Sequence, residues 1–113
     1  MQTLTLTTPD EFDALLAEHE LVLVDFFKNN CPGCKMLDMA LKRFAASETA
    51  EGVTLVKVQL EVVGEDFFHQ HGLRQTPTLL LFRNGEEVGR LAGFNAPEKI
   101  EALVASNLVS SEV

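Results

Sequence analysis

Cys31-Pro32-Gly33-Cys34 is the segment whose residue types and spacing could do covalent chemistry. Two cysteines are too few for a disulfide scaffold in a chain of 113 residues. In a reducing compartment a close pair serves redox chemistry or metal binding more often than architecture. The pair sits where an apolar run gives way to a helical pattern. A thiol at a helix N-terminus meets unpaired backbone N–H groups and the positive end of the macrodipole, and both favour thiolate over thiol. Cys31 is therefore the expected nucleophile. Cys34 lies one turn further on the same face, able to attack a mixed disulfide at Cys31 while shielded from bulky substrates, and is the expected resolving thiol. Pro32 suits a first helical turn because its missing N–H costs no helical bond, and Gly33 keeps the approach to the sulfurs open. Both also suit a plain turn. The bland alternative is a turn or half of a zinc site, but zinc needs four ligands and no second such pair exists. His69 and His71, in Phe-Phe-His-Gln-His, read as solvent-facing rather than as ligands, and His19 reads the same way.

Two charges stand inside apolar runs. Asp25 interrupts Leu-Val-Leu-Val-Asp-Phe-Phe, positions 21 to 27. A carboxylate in a strand covered on both faces is costly to ionise, so its pKa should rise and it can exchange a proton near neutrality. Lys57, inside Leu55-Val56-Lys57-Val58, is the natural counterpart, since an unpaired buried cation is equally costly. A purely structural ion pair is the alternative. Pro77 opens another apolar run, where a plain strand-opening proline is one reading. Met36 and Met39, at helical spacing, read as core fillers.

Hydrophobic period assigns these residues to strands and helices. Thr3 to Thr7 alternates as an edge strand, and Thr8-Pro9-Asp10-Glu11 is a capping sequence opening a helix to about His19. Leu21 to Phe27 is a central strand. A helix spans Cys31 to about Ala46, with Cys34, Leu37, Leu41 and Phe44 on one stripe. Val53 to Leu60 is a strand, and a short helix comes after it over about Gly64 to His71. Thr78 to Arg83 and Glu86 to Ala92 form a hairpin through Asn84-Gly85. Asn95-Ala96-Pro97-Glu98 caps a last helix carrying Ile100, Leu103 and Val104. The order βαβαβαββα demands an α/β fold, a central mixed β-sheet flanked by helices on both faces, as a single domain over residues 1 to 113.

Hydrophobic residues make up 46% of the chain, enough for a packed core. The net charge of -8 repels phosphate backbones and anionic lipid, so neither nucleic acid nor membrane is an expected partner. No basic segment followed by an apolar one opens the sequence and no apolar stretch reaches membrane-spanning length, so a cytoplasmic monomer is expected.

Along nearly its whole length the sequence resembles the thioredoxins. The resemblance is carried by Val-Leu-Val-Asp-Phe-Phe before the cysteines, Cys34-Lys35-Met36-Leu37 after them, Thr76-Pro77-Thr78-Leu79-Leu80-Leu81-Phe82 with Arg83-Asn84-Gly85, and Gly93 after the last strand of the hairpin. It implies a thioredoxin fold and protein-disulfide reduction by a Cys31-Cys34 dithiol/disulfide couple, with no cofactor beyond that couple. It further implies proton transfer between Asp25 and Cys34, and a cis Thr76-Pro77 bond beside the cysteines, where an extended substrate segment pairs as an added strand. Pro32, Gly33, Thr76, Pro77 and Gly93 would then form the substrate-binding rim. Partners would be disulfide-bearing proteins and an upstream reductant, thioredoxin reductase or glutathione. The chain departs from the family's Trp-Cys-Gly-Pro-Cys: Asn30 precedes Cys31, the two central residues are exchanged, and there is no Trp. A proline directly after the first cysteine resembles glutaredoxins. A glutathione-linked or iron-sulfur-cluster-binding protein, and a non-catalytic interaction module, therefore stand as alternatives.

Overall fold

The computed structural model describes residues 1–108. Five strands, β1 (Gln2–Thr5), β2 (Leu21–Phe27), β3 (Thr54–Gln59), β4 (Thr78–Arg83) and β5 (Glu86–Ala92), form one sheet in the order β1-β3-β2-β4-β5. β3 pairs parallel with β1 and β2, while β4 runs antiparallel to β2 and β5. The sheet is mixed, as the alternation of strands and helices with a terminal hairpin requires.

The helices are α1 (Phe12–Glu18), α2 (Pro32–Ala45), α3 (Leu60–Val63), α4 (Glu65–Gln70) and α5 (Pro97–Ala105). The third crossover is thus two short helices rather than one, broken at Gly64, whose φ of 92° lies outside helical backbone. A 3-10 turn, Pro9–Glu11, leads into α1, and the Glu11 carboxylate accepts the N–H groups of Thr7 and Thr8 at 3.2 and 3.1 Å. At α5 the cap differs from the sequence reading. Ala96 is the cap residue and makes no side-chain bond, while the Asn95 amide turns back to donate to the Ala92 and Gly93 carbonyls.

Strand period divides the core between the two faces of the sheet. Val22, Val24, Phe26, Val56, Val58, Leu80 and Phe82 point to one side, against Phe12, Leu16, Val63, Phe67 and Phe68. Leu21, Leu23, Leu55, Leu79 and Leu81 point to the other, against Leu37, Leu41, Phe44, Ile100 and Val104 of α2 and α5. Asp25 and Lys57 are odd-numbered partners in the β2–β3 register. They therefore share the face that α2 covers. The hairpin turns through Asn84 (φ 51°) and Gly85 (φ 85°), the paired positive angles of a two-residue type I′ loop.

Three readings of side-chain exposure change as well. Met36 and Met39 are not core residues but lie exposed, at 52% and 69%. Leu37, Ala40, Leu41 and Phe44 already fill the buried stripe, leaving the methionines on the outer faces of α2. His71 does not face solvent: it is half-buried, its ring 5.1 Å from Phe12, 5.7 Å from Phe26 and 4.8 Å from Phe67, and burial holds its imidazole below the usual histidine range. His19 is also half-buried, its Nδ1 3.4 Å from the Thr54 hydroxyl, whereas His69 is exposed as expected.

Candidate active site

β2 delivers the chain to the site, and a polar clamp fixes the loop beyond its end. The Asn29 N–H donates to the Glu61 carboxylate at 3.2 Å, and the Gln59 side-chain amide donates to the Asn29 side-chain carbonyl at 3.0 Å and to Glu61 at 3.2 Å. Asn30 then takes a left-handed conformation, φ 53°, which asparagine tolerates better than most residues. That reversal makes Cys31 the N-cap of α2, with Pro32 in the first turn.

The Cys31 sulfur acts as the capping acceptor, taking the Cys34 N–H at 3.2 Å. A negative charge on this atom would gain both that hydrogen bond and the helix dipole. The two cysteines are joined in a disulfide, with their Cα atoms 5.2 Å apart. Their exposures do not distinguish them, at 7% for Cys31 and 6% for Cys34. Their places on the helix do, because Cys31 caps it and Cys34 lies inside its first turn.

A second segment closes on the sulfurs from across the sheet. Cys31 Sγ lies 3.7 Å from the Thr76 hydroxyl and 3.8 Å from its carbonyl oxygen. The Thr76–Pro77 bond is cis. The Pro77 carbonyl accepts the Gly93 N–H at 2.8 Å, tying the loop after β5 to the same spot. A β-carbon on Gly33 would sit 3.3 Å from Pro77 Cδ, so the two segments meet as closely as a glycine allows. Gly93 itself has φ 76°, and a β-carbon there would press on the Gln75 amide at 3.2 Å.

Beneath α2, Asp25 is 1% exposed and Lys57 Nζ stands 2.9 Å from its Oδ2. Among the described residues neither carboxylate oxygen has a polar partner beyond this ion pair, whose angle is poor for a hydrogen bond. Burial pushes the Asp25 carboxyl above the usual carboxylate range. The Lys57 charge and its short contact with the carboxyl oppose this rise, and the Asp38 charge adds to it. For Lys57, burial favours the neutral amine, but the charge of Asp25, with the hydrogen bond and charge of Asp38, outweighs it and holds the ammonium above its ordinary pKa. Sequence reasoning did not find Asp38, whose Oδ1 accepts from Lys57 Nζ at 2.5 Å. The available signal was its place one turn beyond Cys34 on α2. Glu61 and Gln59 of the loop clamp were also missed, since nothing local ties them to the cysteines.

A disulfide capping a helix, with a loop closely approaching its Cys31 sulfur, can be reduced and re-formed by thiol exchange. On this fold it defines a thiol-disulfide oxidoreductase. Residues 3–106 match the family model Thioredoxin. The sequence is 36% identical over 100 residues to Thioredoxin-1 of Saccharomyces cerevisiae, covering 88% of this chain and 93% of that one. It is 35% identical over 106 residues to the thioredoxin of Alicyclobacillus acidocaldarius, covering 94% and 98%. The structure of the reduced Schistosoma mansoni thioredoxin pre-protein superposes with a TM-score of 0.81 at 26% identity, over 94% of this chain and 98% of that one. The chain belongs to the thioredoxin family.

Among the described residues, no group of three or more His, Cys, Asp and Glu could hold a metal ion. No helix among them is long and apolar enough to cross a membrane.

Proposed function

We propose that residues 1 to 113 act as one domain that reduces disulfides in protein substrates, with Cys31 as the attacking thiol and Cys34 as the resolving one. The observation that carries this division is the Cys34 N–H donated to Cys31 Sγ at the start of α2. In the dithiol form it stabilises negative charge on the Cys31 sulfur, and among the described residues no N–H is donated to Cys34 Sγ.

In the reaction the Cys31 thiolate attacks one sulfur of the substrate disulfide, and the other substrate sulfur leaves as a thiolate that takes a proton from water. Cys34 gives its proton to Asp25 and attacks Cys31 Sγ. The bond between Cys31 and the substrate breaks, and the second substrate sulfur leaves as the Cys31–Cys34 disulfide forms. Two electrons pass from the protein dithiol to the substrate. Asp25 suits the proton transfer because it is buried with no polar partner but Lys57 among the described residues, and Lys57 compensates its charge when the proton is absent.

Pro32, Gly33, Thr76, Pro77 and Gly93 form the rim on which an extended substrate segment adds as a strand, the Thr76 and Pro77 backbone lying beside the sulfurs. An upstream reductant, thioredoxin reductase or glutathione, restores the dithiol, and a reducing cytoplasmic setting suits a monomer used in this direction.

The two single serine variants test the assignment with insulin as substrate. Cys34→Ser retains Cys31 attack and accumulates a mixed disulfide visible by intact-protein mass spectrometry, and Cys31→Ser accumulates none. Equal trapping by both would remove the division of roles.

A further inference from the structure

We propose that Asp38 is a positioning residue for Asp25: by competing for the Lys57 ammonium, it draws that cation toward its own carboxylate, weakens its hold on the buried carboxyl and leaves Asp25 free to exchange a proton. This role matters to catalysis only if Asp25 serves Cys34 in proton transfer.

The geometry is a competition for one cation. Lys57 Nζ lies 2.5 Å from Asp38 Oδ1 in a hydrogen bond, and 2.9 Å from Asp25 Oδ2 in an ion pair. Its third neighbour is the Phe27 ring, with Nζ 4.7 Å from the centroid. An ammonium has three donors, so number alone does not deprive Asp25. What Asp38 sets is where the head group rests, through the shorter of the two contacts, 2.5 Å against 2.9 Å. Exposure fits the division. The Asp38 side chain is 47% exposed and meets water, whereas Asp25 is 1% exposed and Lys57 20%. A cleft of about 270 Å³, lined by Asp38, Lys57, Leu41, Lys42, Met1 and Thr3, admits water to the outer pair.

The charged and titratable groups around the pair are few. α2 brings Asp38 and Lys42, with Cys34 one turn before Asp38. β3 brings Lys57, β1 and its start bring Met1 and Thr3, and β4 places apolar Leu79 opposite Asp25. Asp38 is the anion of this set, so it acts on Asp25 twice, through its own charge and through the lysine it holds. Both effects keep the carboxyl protonated to higher pH.

The test tracks the Asp25 carboxyl carbon by NMR through a pH titration of the reduced full chain, in wild type, Asp38→Ala and Asp38→Glu. With Asp38 removed, the ammonium settles on Asp25, and the midpoint should fall by about one pH unit. Asp38→Glu should restore most of the wild-type value. A midpoint that stays or rises in Asp38→Ala overturns the proposal, since Asp38 would then only anchor the lysine beside Asp25. The pH profile of mixed-disulfide resolution, read on the same proteins and on Asp25→Asn, separates the two ideas. A profile that moves with the NMR midpoint supports both. A lowered midpoint with a profile unchanged even in Asp25→Asn upholds the Asp38 assignment and refutes proton transfer by Asp25.

Discussion

Replacing Asp25 by alanine should stabilise the protein at neutral and alkaline pH and leave it no more stable in acid. A carboxylate 1% exposed, with no polar partner but Lys57 among the described residues, bears much of the desolvation cost of a buried unsatisfied group, about 1–3 kcal/mol and more when charged. The Lys57 charge at 2.9 Å offsets part of it. Breaking a buried pair usually costs about 3–5 kcal/mol because the remaining charge is stranded. Here Lys57 keeps Asp38 and is partly exposed, so that cost is absent. The net gain at pH 8 is about 1–2 kcal/mol, and each kcal/mol raises Tm by roughly 4–8 °C in a domain near this size.

The pH dependence fixes the cause. The folded carboxyl has its pKa raised by burial, so the folded state holds this proton more tightly than the unfolded chain, whose aspartates titrate near about 3.9. As pH rises through that unfolded value, wild type loses stability, and the loss stops growing above the folded pKa. Below about pH 3.9 both states are protonated and the difference closes. Thermal unfolding of the reduced proteins by circular dichroism, from pH 3.5 to 8, measures this directly. A variant less stable than wild type at pH 8, or more stable by the same amount at every pH, refutes the reasoning.

Other perturbations give separate outcomes. Gly93→Ala places a β-carbon at φ 76° and against Gln75, so urea unfolding should show a loss of about 1–2 kcal/mol. His71→Phe should remove a pH-dependent loss of stability: burial lowers the folded imidazole pKa, so wild type weakens as pH falls from about 6.5 toward the folded value. Melting curves at pH 7.5 and pH 5 check it, with the variant gaining on wild type only at the lower pH. Exchanging Pro32 and Gly33 moves the prolyl ring onto the position that faces Pro77 Cδ, 3.3 Å from where a β-carbon would lie. Initial rates with insulin should fall, whereas equal rates would show that this contact does not shape the rim.

Much of this architecture was legible because it rests on local rules. The apolar run at 21 to 27 could only be a central strand, and the Asn84-Gly85 pair could only close a hairpin. The period of two placed Asp25 and Lys57 in apolar strands, and the parallel register then set them side by side. What escaped needed packing in three dimensions. His71 looked solvent-facing because a local pattern does not reveal that Phe12, Phe26 and Phe82 converge on it from three other segments. Met36 and Met39 looked like core because their type outweighed their angle on the helix. Asp38 escaped because its partner is 19 residues away, and a place one turn beyond Cys34 does not by itself reveal that Lys57 reaches it.

The most direct test is a single turnover of the fully reduced protein with excess insulin and no other reductant, read by thiol counting and peptide mapping. One insulin disulfide should be cleaved per protein molecule, with Cys31 and Cys34 recovered joined to each other. Unreacted insulin, or protein recovered as stable adducts through single cysteines, would contradict a dithiol couple that attacks at Cys31 and resolves at Cys34.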